Sequence, residues 1–300
     1  NSTDSNECRI ILKNRDLEDV NDIRIQGYHI VANMMEDDIL FVPVSDGTST
    51  SIMEISFFFN EYEIFPVNTE TPFLATNALM YWEYYDSNPK IALTSADSML
   101  VILEYKSGDF TLANEIALPF VTDSFPSLAD IDNNGKKELL LGGENSFVTI
   151  NEDGQIHKPV KEIAFPDSAG NMSAVLAINT DSGLEIVGLM SQNRLCVWQN
   201  VADNDFVMKR NYPVSYGSRC RNYPLLKDGM LLLPSDNGRV YRDENWLTNT
   251  ELAVEYGNLQ RTGSIVYKEG VNQYETADIF VEDETYVYPN PYSTIYDGAI

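Results

Sequence analysis

Cysteine and histidine are scarce in this sequence of 300 residues: three cysteines, Cys8, Cys196 and Cys220, and two histidines, His29 and His157. The cysteine spacings match neither a zinc site nor a disulfide framework, so a packed core rather than covalent staples must hold the chain. For the later pair two readings stand, a Cys196–Cys220 bridge in an oxidising compartment or buried free thiols. With only two histidines, neither in a suggestive neighbourhood, a zinc centre or a Ser-His-Asp triad has little to build on. Positive charge is also short, with 20 Lys plus Arg against 46 Asp plus Glu and a formal net charge of −26. So acidic a surface repels nucleic acid and anionic lipid and suits divalent cations or basic partners. No run of about 18 apolar residues occurs, which removes a membrane-spanning helix from consideration. The sequence opens at Asn1, and the chain is expected to be a mature form or a piece of a larger one.

Helical periodicity is missing as well. Apart from a turn of helix expected around Asp16 to Asp22, no amphipathic stretch of ten or more residues appears. In its place a unit recurs, made of a short apolar run, a small polar turn and a second apolar run. It reads "ILFVPVSDGTSTSIMEI" from Ile39, "IALTSADSMLVILEY" from Ile91, "LLLGGENSFVTINED" from Leu139, "IVGLMSQNRLCVWQN" from Ile186 and "MLLLPSDNGRVYRDE" from Met230, with starts 44 to 52 residues apart. The apolar runs are rich in Ile, Val, Leu, Phe and Tyr, the β-formers. Turn dipeptides punctuate the chain at Asp46-Gly47, Gly108-Asp109, Asp153-Gly154, Asp228-Gly229 and Asn237-Gly238, and such pairs supply the positive φ that tight hairpins need. An all-β chain with a period near 46 residues has room for four short strands per unit. A β-propeller of at least five four-stranded blades is the expected architecture. The N-terminal segment "CRIILKNRDLEDVNDIRIQGYHIVANM" is expected to add strands of a further blade or to close the ring.

One unit carries more than a turn. In "FPSLADIDNNGKKELLLGG", residues 125–143, oxygen-bearing side chains alternate and a glycine follows before the strand. Asp130, Asp132, Asn134, the main-chain carbonyl of Lys136 and the carboxylate of Glu138 offer oxygens to one cation, and Gly135 permits the bend around it. The bland alternative is an ordinary polar turn. The stretch resembles the FG-GAP or VCBS-type repeat of integrin-like propellers, matched at Pro126, Leu128, Asp130, Asp132, Asn134, Gly135 and Glu138. The resemblance implies structural Ca2+ at this loop. The chain continues as a strand without an acidic twelfth position, unlike a helical EF-hand. A decayed copy, "AINTDSGLEIVG" from Ala177, keeps Asn179, Asp181 and Glu185, with Ile178 where the first carboxylate would be. The segment "EYGNLQRTG", residues 255–263, resembles one found near the end of repeat propellers in secreted bacterial proteins. "YVYPNPYSTIYDGAI", residues 286–300, resembles the opening of immunoglobulin-like C-terminal domains, some of them type IX sorting domains. These resemblances imply a propeller over 1–285, a stub of a following domain over 286–300, and a secreted or cell-surface bacterial protein.

The function expected on this reading is non-catalytic: a calcium-stabilised module that binds a protein or carbohydrate ligand, or acts as a spacer. Its class of rival is a propeller glycoside hydrolase or lyase with paired carboxylates, though no sequence feature singles out a pair. Tryptophan-rich quinoprotein blades are disfavoured by the presence of only Trp82, Trp198 and Trp246. Repeats of the WD type are disfavoured by the lack of Gly-His and Trp-Asp markers. The aromatic cluster "MYWEYYDSNP" from Met80 to Pro89 reads either as a sugar-stacking platform or as the strand that begins a blade.

Overall fold

The computed structural model describes residues 7–13, 19–32, 34–36, 39–56, 61–81, 87–122, 124, 126–132, 134, 136–144, 146–157, 172–180, 183–190, 194–202, 205–209, 214–215, 225–227, 230–234, 240–243 and 264–265. Among these no residue is helical. The chain divides into Asn1–Tyr267 and Lys268–Ile300. The second unit, which contains the expected stub, lies outside the described residues, as does the segment 255–263.

Strands β1 (Glu7–Lys13) and β2 (Asp19–Gln26) pair as a two-stranded antiparallel ribbon. The helical turn expected around Asp16 to Asp22 is therefore overturned from Asp19 onward. Pairing with β1 recruits that acidic stretch as strand, because it places Ile23 and Ile25 on the face that packs. The next sheet is ordered β3-β5-β6-β7, with β3 (His29–Ile30), β5 (Ile39–Ser45), β6 (Thr50–Ser56) and β7 (Glu61–Pro66); β4 (Met34–Glu36) also pairs with β5. A third sheet runs β8 (Ala75–Tyr81), β9 (Lys90–Ser95), β10 (Met99–Lys106), β11 (Asp109–Ala117). The fourth is β12 (Ser127–Ala129), β13 (Glu138–Gly142), β14 (Phe147–Ile150), β15 (Ile156–His157). The fifth is β16 (Met172–Thr180), β17 (Gly183–Met190), β18 (Arg194–Ala202), β19 (Asp205–Met208), with β20 (Val214–Ser215) also on β18. Then come β21 (Leu225–Lys227), β22 (Met230–Pro234) and β23 (Val240–Asp243), and finally β24 (Ser264–Ile265), which pairs parallel to β8.

Apart from β4, β20 and the parallel strand β24, each sheet is an antiparallel meander in chain order, and the five recurrent segments lie on the hairpins β5–β6, β9–β10, β13–β14, β17–β18 and β22–β23. Alternate residues of a strand point to opposite faces. Here the two faces serve two neighbours. Leu139 and Leu141 of β13 pack with Leu79, Ala92 and Leu100 of the sheet before, whereas Leu140 packs with Val175, Ile186 and Trp198 of the sheet after. On the third sheet, Leu79 and Leu93 divide in the same way between the fourth and second sheets. Middle strands are thus buried on both sides, as in β9 and β13, while the last strands β7 and β11 stay largely exposed. Four-stranded meanders stacked face to face in chain order, with polar outer strands, are the blades of a β-propeller.

Turn chemistry follows the strands. The β10–β11 hairpin turns through Ser107 and Gly108, both at positive φ (56° and 82°), with Lys106 opposite Asp109. The sequence marks Gly108-Asp109 here, and the register moves the turn back by one residue. The β1–β2 ribbon, through Ile23 and Ile25, covers the outer face of the second sheet at Val42, Val44, Met53 and Ile55.

Candidate functional site

The acidic loop joins β12 to β13, whose first pair is Ala129 opposite Glu138. Between its carboxylates stands Ile131, buried at 3% exposure within the cluster that joins the fourth and fifth sheets. Burial of that side chain pins the loop, and its main-chain N–H donates to Glu138 Oε2 at 2.7 Å. One oxygen each from Asp130, Asp132 and Glu138 lie within 4.8 Å of one another, the one such group of potential metal ligands among the described residues. Asp130 is half-buried, Asp132 exposed and Glu138 buried, so the group opens to solvent on the Asp132 side.

Asn134 closes the loop. Its main-chain N–H donates to Asp130 Oδ1 at 3.0 Å and to Asp132 Oδ1 at 3.1 Å, and its side-chain amide donates to Asp132 Oδ2 at 2.9 Å. The amide oxygen accepts the Lys136 N–H at 2.7 Å, so Asn134 meets Asp132 through its donor rather than its oxygen. The Lys136 ammonium pairs with Glu152. The structure therefore brings together the carboxylates of Asp130, Asp132 and Glu138 among the expected ligands, with Asn134 hydrogen-bonded inside the same loop; Gly135 lies outside the described residues.

Glu138 is the electrostatic anomaly. Its carboxyl is raised from 4.5 to about 7, first by burial and further by the like charges of Asp132 and Asp130, against the stabilising N–H of Ile131. Three carboxyl groups this close repel when ionised. A proton on Glu138 or a cation between them relieves that repulsion. Oxygen donors of this kind suit calcium, and Asp132 faces solvent, from which an ion would arrive.

The decayed copy has a different geometry. In the fifth sheet Ile178 stands opposite Glu185, Asn179 opposite Leu184 and Thr180 opposite Gly183. Pairing that continues to the turn leaves no loop, only residues 181 and 182, which lie outside the described residues. This register corrects the sequence alignment: Glu185 matches Glu138, Ile178 matches Ala129, and Asn179 rather than Ile178 follows the pair where Asp130 does. Glu185 is 2% exposed and bonds the Lys209 ammonium at 2.6 Å, a partner that no local motif signals.

Trp198, Met80, Tyr81 and Cys196 are packing residues. Trp198 is 1% exposed and meets Phe147 edge-on at 5.1 Å, tying the fifth sheet to the fourth. Of the aromatic cluster, Met80 and Tyr81 end β8 buried in opposite cores, and residues 82–86 lie outside the described residues. Cys196 is a free, buried thiol pushed up to about 12 by burial, with Met190 Sδ at 3.6 Å. Cys220 is outside the described residues. His29 and His157 are both exposed, and neither joins a metal-ligand group.

No family model matches the chain, and no curated protein matches it. Solved structures similar to it include BBS1N in complex with ARL6DN, soaked with lead, at 15% identity over 79% of this chain and 73% of that chain, with a TM-score of 0.46. A mercury-soaked crystal of the same complex matches at 14% identity over 80% and 74%, with a TM-score of 0.47. A catalytically inactive virginiamycin B lyase from Staphylococcus aureus with quinupristin matches at 11% identity over 81% and 75%, with a TM-score of 0.44. At such identities, and with TM-scores below 0.5, these likenesses carry no argument here. The propeller assignment rests on the sheets themselves.

Proposed function

We propose that this chain is a non-catalytic, calcium-stabilised propeller of the FG-GAP or VCBS type, part of a secreted or cell-surface bacterial protein, which binds a protein or carbohydrate ligand or spaces its neighbours. The observation that carries the reading is the convergence of Asp130, Asp132 and Glu138 within 4.8 Å on a loop pinned by buried Ile131. These three side chains would hold the ion, with the remaining positions filled by main-chain oxygen or water. Bound there, calcium supplies charge neutralisation and cross-linking. It ties the loop to the start of β13, and through Ile131 to the packing between the fourth and fifth sheets.

A structural role suits the site better than a catalytic one. Glu138, the carboxyl whose titration is displaced toward neutrality, is 6% exposed and turned onto the Ile131 N–H, a poor position from which to protonate a bulky substrate. The secreted, bacterial setting is supported by the resemblances of residues 255–263 and 286–300.

Thermal unfolding with calcium, with magnesium and with chelator, at equal ionic strength, tests the reading. The expected result is a calcium-specific rise in unfolding temperature that Asp132→Ala abolishes. No shift with either ion would return the loop to a plain turn and reopen the choice between binding module and enzyme.

A further inference from the structure

Glu138 and Glu185 occupy matching positions of adjacent sheets, each on the second strand of its blade and paired with a residue of the first strand, Ala129 and Ile178 respectively. Both are buried, at 6% and 2% exposure. A buried carboxylate without a counter-charge is costly, so each position must find a cation or take up a proton. The charges that act on Glu138 are the like charges of Asp132 and Asp130. At Glu185 the answer is different: the Lys209 ammonium lies 2.6 Å from its Oε1.

Lys209 is held there by strand architecture. It follows β19 directly, and its main-chain N–H donates to Val197 O at 2.8 Å, carrying the β18–β19 ladder one residue further. Met208 before it packs against the core between the fourth and fifth sheets, as does Leu184 beside Glu185. The lysine is one-third exposed and the glutamate 2%, so the long side chain reaches inward from the blade surface to a buried partner.

We propose that Lys209 is the built-in cation of the fifth sheet, a tethered ammonium standing at the position where the fourth sheet recruits an ion from solution. The loop that would cage a metal is accordingly replaced by a hairpin that pairs up to Thr180 and Gly183. The fifth sheet then has no need of calcium and takes none through Glu185. The comparison with the fourth sheet rests on the calcium reading above, whereas the ion pair stands on its own geometry.

The test is a double-mutant cycle on the full chain, read by urea unfolding, with Lys209→Met, Glu185→Gln and the two combined, beside Lys209→Arg and Asp132→Ala. Removing the ammonium alone strands a buried carboxylate, whereas neutralising both partners does not. The expected results are a lowered midpoint for Lys209→Met, substantial recovery in the double variant, near-native behaviour of Lys209→Arg, and no calcium response in Asp132→Ala. Should Lys209→Met not fold, a folded double variant carries the proposal and an unfolded one overturns it. An unchanged midpoint in Lys209→Met, a double variant no more stable than that single, or a calcium response of Asp132→Ala that Glu185→Gln removes would each overturn it. If the wild type shows no calcium response, the calcium reading fails while the cycle still decides the role of Lys209.

Discussion

Glu138 sets the chemistry of the acidic loop through its pKa. Its folded value, about 7, lies above its ordinary 4.5, so the folded chain binds that proton more tightly than the unfolded chain. The stability this gives is fully present below pH 4.5 and lost as pH rises through about 7. In chelator, the unfolding free energy is expected to fall across this window by up to roughly 3 kcal/mol from this group. Glu138→Gln is expected to flatten the slope, as followed by urea titrations at stepped pH. A cation competes with the same proton, so under the calcium reading the stabilisation by calcium grows with pH over the same interval. A slope that survives Glu138→Gln would assign the pH dependence to another group. The alternation of carboxylates is legible in the sequence because the ligands sit within nine residues of one another, 130–138. The orientation of Asn134 is not, because it depends on whether its oxygen or its amide reaches Asp132, a choice made by the fold of the turn.

Strands were readable in proportion to their burial. The central hairpins β5–β6, β9–β10, β13–β14 and β17–β18 are apolar because both faces are covered, and such runs stand out from their surroundings. The last strand of a blade does not. In β11, "DFTLANEIA", most side chains are exposed or half-exposed and the alternation that marks a strand is blurred; β12 has only three residues. Close packing between strands predicts sensitivity at tightly packed glycines, Gly188 among them. A Cβ on Gly188 would lie 2.8 Å from Trp198 Cζ3 and 3.0 Å from Met172 Sδ, both fully buried. Gly188→Ala is therefore expected to destabilise by about 1–3 kcal/mol through overpacking, measured as a lower urea midpoint. An unchanged midpoint would mean that the Trp198 ring shifts freely, contrary to its edge-on contacts with Phe147.

At the scale of the whole molecule, the net charge of −26 acts on every part of the chain at once. Self-repulsion of that size weakens the compact state, and monovalent salt screens it, with a Debye length of about 10 Å at 0.1 M and 3 Å at 1 M. Raising sodium chloride in the presence of chelator is expected to raise the unfolding temperature, an effect that Asp132→Ala retains. A fall with salt would show that attractive ion pairs such as Glu185 with Lys209 outweigh the repulsion. The sequence by itself determined the all-β class, the spacing of the hairpins, the acidic surface and the position of the candidate cation loop. Each of these depends on composition or on residues that are neighbours along the chain. Only the tertiary structure decided that alternate residues of a strand serve two different interfaces, that Ile131 pins the loop, and that Glu185 is neutralised by Lys209 across the far side of β18. Those contacts join residues brought together by strand pairing and sheet stacking, and no local pattern in the sequence encodes them.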